Sequence, residues 1–151
     1  MNQLYQSDQE VEALVQSFLQ RTLDKSLWTH AAHLSTAIWH LKQYDIHEAT
    51  CRMKSGIISY NLSVGGENTG TGGYHETMTL FWMDILHIFV NDNAGLSLKD
   101  TCNKLLNSSL GNKNLPFSFY TKEIILSPQA RARAVAPDLL ELTPAVVLQQ
   151  Q

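Results

Sequence analysis

The apolar residues of this chain recur with helical spacing over most of its length. Val11, Leu14, Val15, Phe18 and Leu19 fall at i, i+3, i+4, i+7 and i+8, one face of an amphipathic helix. Ser7 and Glu10 open it as a capping box. A second helix runs from His30 to about Gln43, capped by Thr29, with Leu34, Ala37, Ile38 and Leu41 on its apolar face. Asp45 and Glu48 open a third helix, which buries Ile46, Ala49, Met53, Ile57 and Tyr60 and carries Asn61 at the edge of that face. A fourth, Tyr74 to about Asn91, is apolar around most of its circumference, a pattern that belongs in the middle of a bundle.

The second half is less regular. Asn91 to Gly95 reads as a turn, and Ser97 caps a short helix carrying Leu98, Cys102, Leu105 and Leu106. Gly111 to Pro116 reads as a loop, and Phe117 to Leu126 as either a short helix or an extended stretch, because Ile124 and Ile125 are β-branched. Ser127 and Pro128 suit the cap and first position of a brief helix through Ala134, which Pro137 ends. The pattern therefore predicts an all-α fold: one compact helical bundle over residues 1–142, of about five to six helices, with a glycine-rich loop before a central buried helix. Residues 143–151 read as a loose C-terminal tail.

Composition narrows the classes. A length of 151 residues suits one ordinary core, and 44% hydrophobic with 17% charged residues is globular rather than disordered. A formal charge of −3 leaves no basic footprint, so nucleic acid is not an expected partner. The longest apolar run, Met78 to Val90, is too short for a membrane span and is broken by Asp84 and His87. Met1 to Asp8 shows neither the basic nor the apolar region of a secretory leader. Cys51 and Cys102 form no CxxC pair and read as reduced thiols, which together with the missing leader gives the expectation of a cytoplasmic protein.

Candidate chemistry gathers around one loop. Five of the eight glycines lie between Gly65 and Gly73, directly before Tyr74, His75, Glu76 and Thr77. Such a loop is conformationally permissive and suits tight folding or close approach of a ligand. It delivers His75 and Glu76 to the first turn of the fourth helix, where the helix dipole disfavours imidazolium. At the start of the second helix, His30 points into the apolar face and His33 lies on its flank beside His40. If the two helix starts meet, His30, His33 and His75 would supply nitrogen ligands to a divalent metal, Zn²⁺ or Fe²⁺. Glu76 would be the fourth ligand or, with a carboxyl pKa raised by burial, the general base, and His75 would share the acid–base work. Tyr74, Asn68 and Thr69 would orient a small polar substrate beneath the loop as a lid. A lone inward histidine such as His40 or His87 reads first as a hydrogen-bonded core residue, and Trp28, Trp39 and Trp82 as packing residues. Phosphate at the loop is disfavoured: Glu67 and Glu76 flank it, and no Lys or Arg lies between Lys54 and Lys99.

Several segments carry a resemblance. Thr29-His30-Ala31-Ala32-His33-Leu34, Gly73-Tyr74-His75-Glu76-Thr77-Met78-Thr79, Tyr120-Thr121-Lys122-Glu123, Ser127-Pro128-Gln129-Ala130-Arg131 and Pro137-Asp138-Leu139 span most of the chain. Together they resemble a family of small bacterial all-helical proteins of uncharacterised function. That resemblance implies a compact helical fold with a shared His-x-x-His and Tyr-His-Glu-Thr site, but no reaction or cofactor. The chain is also similar in kind to metal-binding bundles related to damage-inducible hydrolases and thiol transferases. Those carry a late His-x-x-x-His, whereas no histidine follows His87 here, so only the analogy of histidines inside a bundle is kept.

Two functions of different classes follow. The first is a metal-dependent enzyme acting on a small polar substrate by hydrolysis or oxidation. The alternative is a non-catalytic small-molecule-binding or regulatory module, whose histidines form a structural polar network that fixes helix register. A homodimer formed through exposed apolar helix faces is a third expectation.

Overall fold

A computed structural model describes residues 4–151; Met1 to Gln3, which begin the stretch without leader character, lie outside the described residues. The elements in order are α1 (Asp8–Leu19), α2 (His30–Gln43), α3 (Ile46–Ser63), α4 (Glu76–Asp92), α5 (Leu98–Leu106), α6 (Pro116–Phe119), α7 (Lys122–Ile125), α8 (Pro128–Ala132) and α9 (Pro144–Leu148). Short 3₁₀ turns at Lys25–Leu27 and Ser109–Gly111 complete them. Among the described residues there is no strand, and the fold is all-α. No helix among them is long and apolar enough to cross a membrane.

Most of the expected starts are set by the expected caps. Thr29, Asp45, Ser97 and Ser127 each accept from a main-chain N–H two or three residues into their helix. The capping box of α1 is displaced by one residue: Ser7 Oγ accepts from Glu10 N–H, while Glu10 Oε2 takes the N–H of Gln6 at 2.8 Å. The stretch from Phe117 resolves into two short helices, α6 and α7, broken at Tyr120, whose extended backbone (ψ 140°) ends the first.

The centre of the bundle is α2 as much as α4. Helix α2 packs on α1, α3, α4 and α5, while α4 packs on α2, α3, α8 and α9. The buried positions of α2 are largely small: Ala32, Ser35, Thr36 and Ala37 let four neighbours approach, and Leu34 and Ile38 fill the gaps. Phe18, Tyr60, Phe81, Phe89 and Phe119 supply the largest wholly buried side chains around it.

Residues 143–151 depart from the loose tail expected of them. Thr143 Oγ1 caps α9 by accepting from Val146 N–H, and Val147 is fully buried against the core. Burying one β-branched side chain outweighs the ordering of a single helical turn here because Pro144 sets the first φ in advance. Between α8 and α9 the chain is tied to α4 through Thr77. Its Oγ1–H donates to Arg133 O at 2.8 Å and its oxygen accepts from Val135 N–H at 3.1 Å.

The glycine loop is a fixed object. Asn68 Oδ1 accepts from Tyr74 N–H (2.9 Å) and from Asn61 Nδ2 (3.1 Å), and its Nδ2 donates to Ile58 O (3.2 Å). Thr69 N–H donates to Gly72 O at 2.9 Å, closing a tight turn. Gly73 sits at φ +77°, where a β-carbon would meet Glu67 O and lie 2.9 Å from Asn68 Cα. Gly73→Ala is therefore expected to destabilise the fold by at least about 2 kcal/mol through left-handed strain plus a backbone clash. Urea unfolding with an unchanged midpoint would contradict this.

Candidate functional site

Two histidine-bearing helix starts do meet. A cavity of about 460 Å³ lies between α2, α3 and α4, and His30, His33, His75, Trp28, Tyr74 and Trp82 all contribute to its wall. Met53, Ile57, Met78, Met83 and Leu86 make its floor apolar, and no Asp, Glu, Lys or Arg lines it. A larger open groove, about 950 Å³, runs past Tyr5, Leu14, Leu106 and Lys113, but of the histidines only His30 touches it. The smaller cavity has the chemistry.

Four of the six ring nitrogens, however, are already engaged. His75 is the N-cap of α4 and not a residue of its first turn: its Nδ1 accepts from Met78 N–H (3.1 Å) and its Nε2–H donates to Ile125 O (2.8 Å). Both nitrogens are used, so no lone pair is left for a metal. His30 Nε2–H donates to Gly111 O at 3.0 Å, and His33 Nδ1–H donates to Thr29 O at 2.8 Å. The ring of His33 also lies on Trp28, centroids 3.8 Å apart, and Trp28 stacks on Phe18 at 4.3 Å. Among the described residues no group of three or more His, Cys, Asp or Glu side chains is arranged to hold a metal ion. The expected ligand set of His30, His33 and His75 does not fit a metal centre. The physical reason is that the main chain holds both nitrogens of His75, and the one bare nitrogen left on each of His30 and His33 is too few for a three-nitrogen site.

Glu76 is likewise not free to act as a base. Lys54 Nζ donates to its Oε1 at 2.6 Å, and Tyr74 Oη–H donates to its Oε2 at 2.7 Å. The pair sits at the mouth of the cavity and outside its lining, half-buried, where an ion pair with a second hydrogen bond holds better than one in open solvent. Burial first, and then the Glu76 carboxylate, push the Tyr74 phenol well above its ordinary range. Of the residues expected to touch substrate, Tyr74 lines the cavity. Asn68 and Thr69 do not, and their polar atoms close the loop.

Four participants left little mark in the sequence. Arg131, on α8, reaches back to donate to Gly73 O (2.9 Å) and Tyr74 O (3.3 Å), latching the loop from outside. Asn61 and Thr79 line the cavity, and only Asn61's position at the edge of an apolar face hinted at it. Lys54 could have been found as the last cation before the long stretch without Lys or Arg that ends at Lys99.

Every imidazole at the site is held neutral. Burial drives the pKa of His33 down to about 4; the Thr29 carbonyl opposes this, and His30 adds to it. Burial also lowers His30 and His75, against the raising effect of the Gly111 and Ile125 carbonyls. With Nδ1–H and Nε2–H placed as above, His33 is left with a bare Nε2 and His30 with a bare Nδ1.

No family model, no curated protein and no solved structure matches the chain. What the site can do rests on its geometry.

Two outcomes follow from it. His75→Ala removes the cap and strands Ile125 O, and it is expected to cost about 2–3 kcal/mol. His75→Asn restores the cap but not the bridge and should recover about 1 kcal/mol of that, as read by urea denaturation. The second outcome concerns pH. The buried histidines titrate below the ordinary 6.5 when folded and at about 6.5 when unfolded. Between pH 6.5 and about 4 the unfolded chain binds more protons. Stability is then full above pH 6.5 and falls steadily below it, with proton uptake on unfolding at pH 5 exceeding that at pH 7.5. Equal uptake at the two pH values would contradict the neutral assignment.

Proposed function

We propose that this protein is a small-molecule-binding module whose central cavity takes a neutral, largely apolar ligand carrying a hydrogen-bond donor. The observation that carries this reading is the lining. An apolar cavity of about 460 Å³ with no charged wall residue falls in the size range of ligand pockets. Three of its open polar atoms are acceptors: His33 Nε2, His30 Nδ1 and Asn61 Oδ1 have no hydrogen-bond partner among the described residues, whereas each of the same groups donates through a ring or amide nitrogen. A ligand N–H or O–H suits them, and a cation does not, because no carboxylate faces the cavity to balance it. Trp28 Nε1–H is buried without a partner in the same wall, and a small rotation of the ring would offer it to a ligand acceptor.

Binding is favoured over catalysis. A histidine whose pKa has fallen to about 4 is a weak base at neutral pH, and Glu76 is held by Lys54 and Tyr74. Metal-assisted hydrolysis or oxidation has no ligand set to rest on here.

Indole and N-methylindole separate the donor from the ring. Followed by NMR titration, indole is expected to bind about tenfold more tightly, the worth of one hydrogen bond to His33. His33→Phe keeps the stack on Trp28 and should erase that difference. If neither probe perturbs the resonances of Trp28, Met83 and Leu86, the binding reading fails.

A further inference from the structure

Helices α1 and α3 end in the same way but with different residues. After α3, Gly65 takes φ +79°, its N–H donates to Leu62 O (3.2 Å), and Gly66 N–H donates to Asn61 O (2.8 Å). After α1, Arg21 takes φ +60°, its N–H donates to Phe18 O (3.0 Å), and Thr22 N–H donates to Ser17 O (2.9 Å). Both are Schellman stops, whose left-handed position favours glycine because a β-carbon is strained there. The helix dipole welcomes a cation at this end, but one inside the last turn would serve without that strain. Arg21 is held where the backbone prefers otherwise.

Its side chain faces a cleft of about 210 Å³ between the ends of α1 and α2 and the flank of α3. Arg52, His40, Tyr44, Ser55 and Ser59 share the lining, which includes no Asp or Glu. Glu48 Oε1 takes Nε and Nη2 of Arg52, at 3.0 and 2.7 Å, leaving Nη1. The Arg52 guanidinium lies over the Tyr44 ring, 4.2 Å from its centroid, which sets its plane. The Arg21 guanidinium has no hydrogen bond or ion pair among the described residues. At the end of α1, Ser17 O accepts from the N–H groups of Thr22 and Leu23, and Phe18 O from that of Arg21. His40 is 1% exposed, and its Nδ1–H donates to Thr36 O at 2.8 Å, leaving a bare Nε2.

We infer that this cleft is a binding site for inorganic phosphate, separate from the central cavity and independent of its reading. Arg21 and Arg52 Nη1 would hold two of the oxygens and the Ser59 hydroxyl would donate to a third; Ser55, whose hydroxyl donates to Arg52 O at 3.3 Å, would have to turn from that long bond to join them, and His40 Nε2 would accept from the P–OH that phosphate carries at neutral pH. Sulfate offers the same charge and shape without that hydrogen.

Titration calorimetry with inorganic phosphate, at ionic strength fixed with sodium chloride, tests the assignment. A saturable response is expected, weakened at least tenfold in Arg21→Gly and in Arg52→Gln, with sulfate at least tenfold weaker than phosphate. Arg21→Gly keeps the helix stop, so its melting temperature in phosphate-free buffer should equal or exceed that of the parent chain, which separates lost binding from lost folding. No saturable phosphate response, an unchanged Arg21→Gly response, or equal binding of sulfate would each overturn it.

Discussion

Four imidazoles in this protein each give one ring N–H to a main-chain carbonyl: His30 to Gly111, His33 to Thr29, His40 to Thr36 and His75 to Ile125. That single habit settles much of the rest. At Gly111 and Ile125 it answers carbonyls at a turn and at the end of a short helix, while Thr29 O takes the His33 main-chain N–H as well. It fixes which nitrogen keeps the lone pair, and with burial it holds the rings neutral. Two of the bonds span fifty residues of chain or more, linking α2 to the turn at Gly111 and α4 to α7. The histidines act first as fasteners, and the neutral lining of the cavity follows from that.

The start of α4 shows how the fasteners cooperate. His75 caps it, Thr77 holds the segment after α8, Glu76 is held by Lys54 from α3, and Arg131 from α8 grips the carbonyls just before it. Four elements therefore converge on one helical turn, and the glycine loop enters it through the left-handed Gly73, where a β-carbon would meet Glu67 O. Removing one fastener leaves its partner buried and unpaired, which makes such networks stiff and intolerant of partial loss. The loop is accordingly a rim of the cavity, held from two sides.

How far this was legible in the sequence depended on whether the signal was local. Helix faces and caps are local, and α2 and α3 follow the spacing of Leu34, Ala37, Ile38, Ala49, Met53 and Ile57. The meeting of His30, His33 and His75 around one cavity was also legible, because each lies at a helix start beside an inward face. What each ring does there was not. The partners of His30 and His75 are Gly111 O and Ile125 O, main-chain atoms that exist at every residue and leave no mark in a sequence. The centrality of α2 was hidden for a related reason: Ser35 and Thr36 read as polar, yet they are buried because small side chains let neighbours come close. Residues 143–151 read as a tail because one buried valine makes no periodic pattern.

A cavity of about 460 Å³ among the main helices of a small domain calls for a physical cause, since interiors otherwise close to densities that leave few voids larger than a water molecule. The flexible residues of the floor, Met53, Met78 and Met83, could fill it only if the walls moved inward. The walls do not move inward because their large side chains are tied elsewhere. His33 is bound to its own helix and stacked on Trp28, Tyr74 is bound to Glu76, and His75 is bound at both nitrogens. Each tether sets a rotamer that collapse would have to break, at the cost of an unpaired polar group. The cavity is thus held open by hydrogen bonds in its rim, and a ligand entering it meets a shape already paid for by folding, which is the condition for tight binding from a modest contact area.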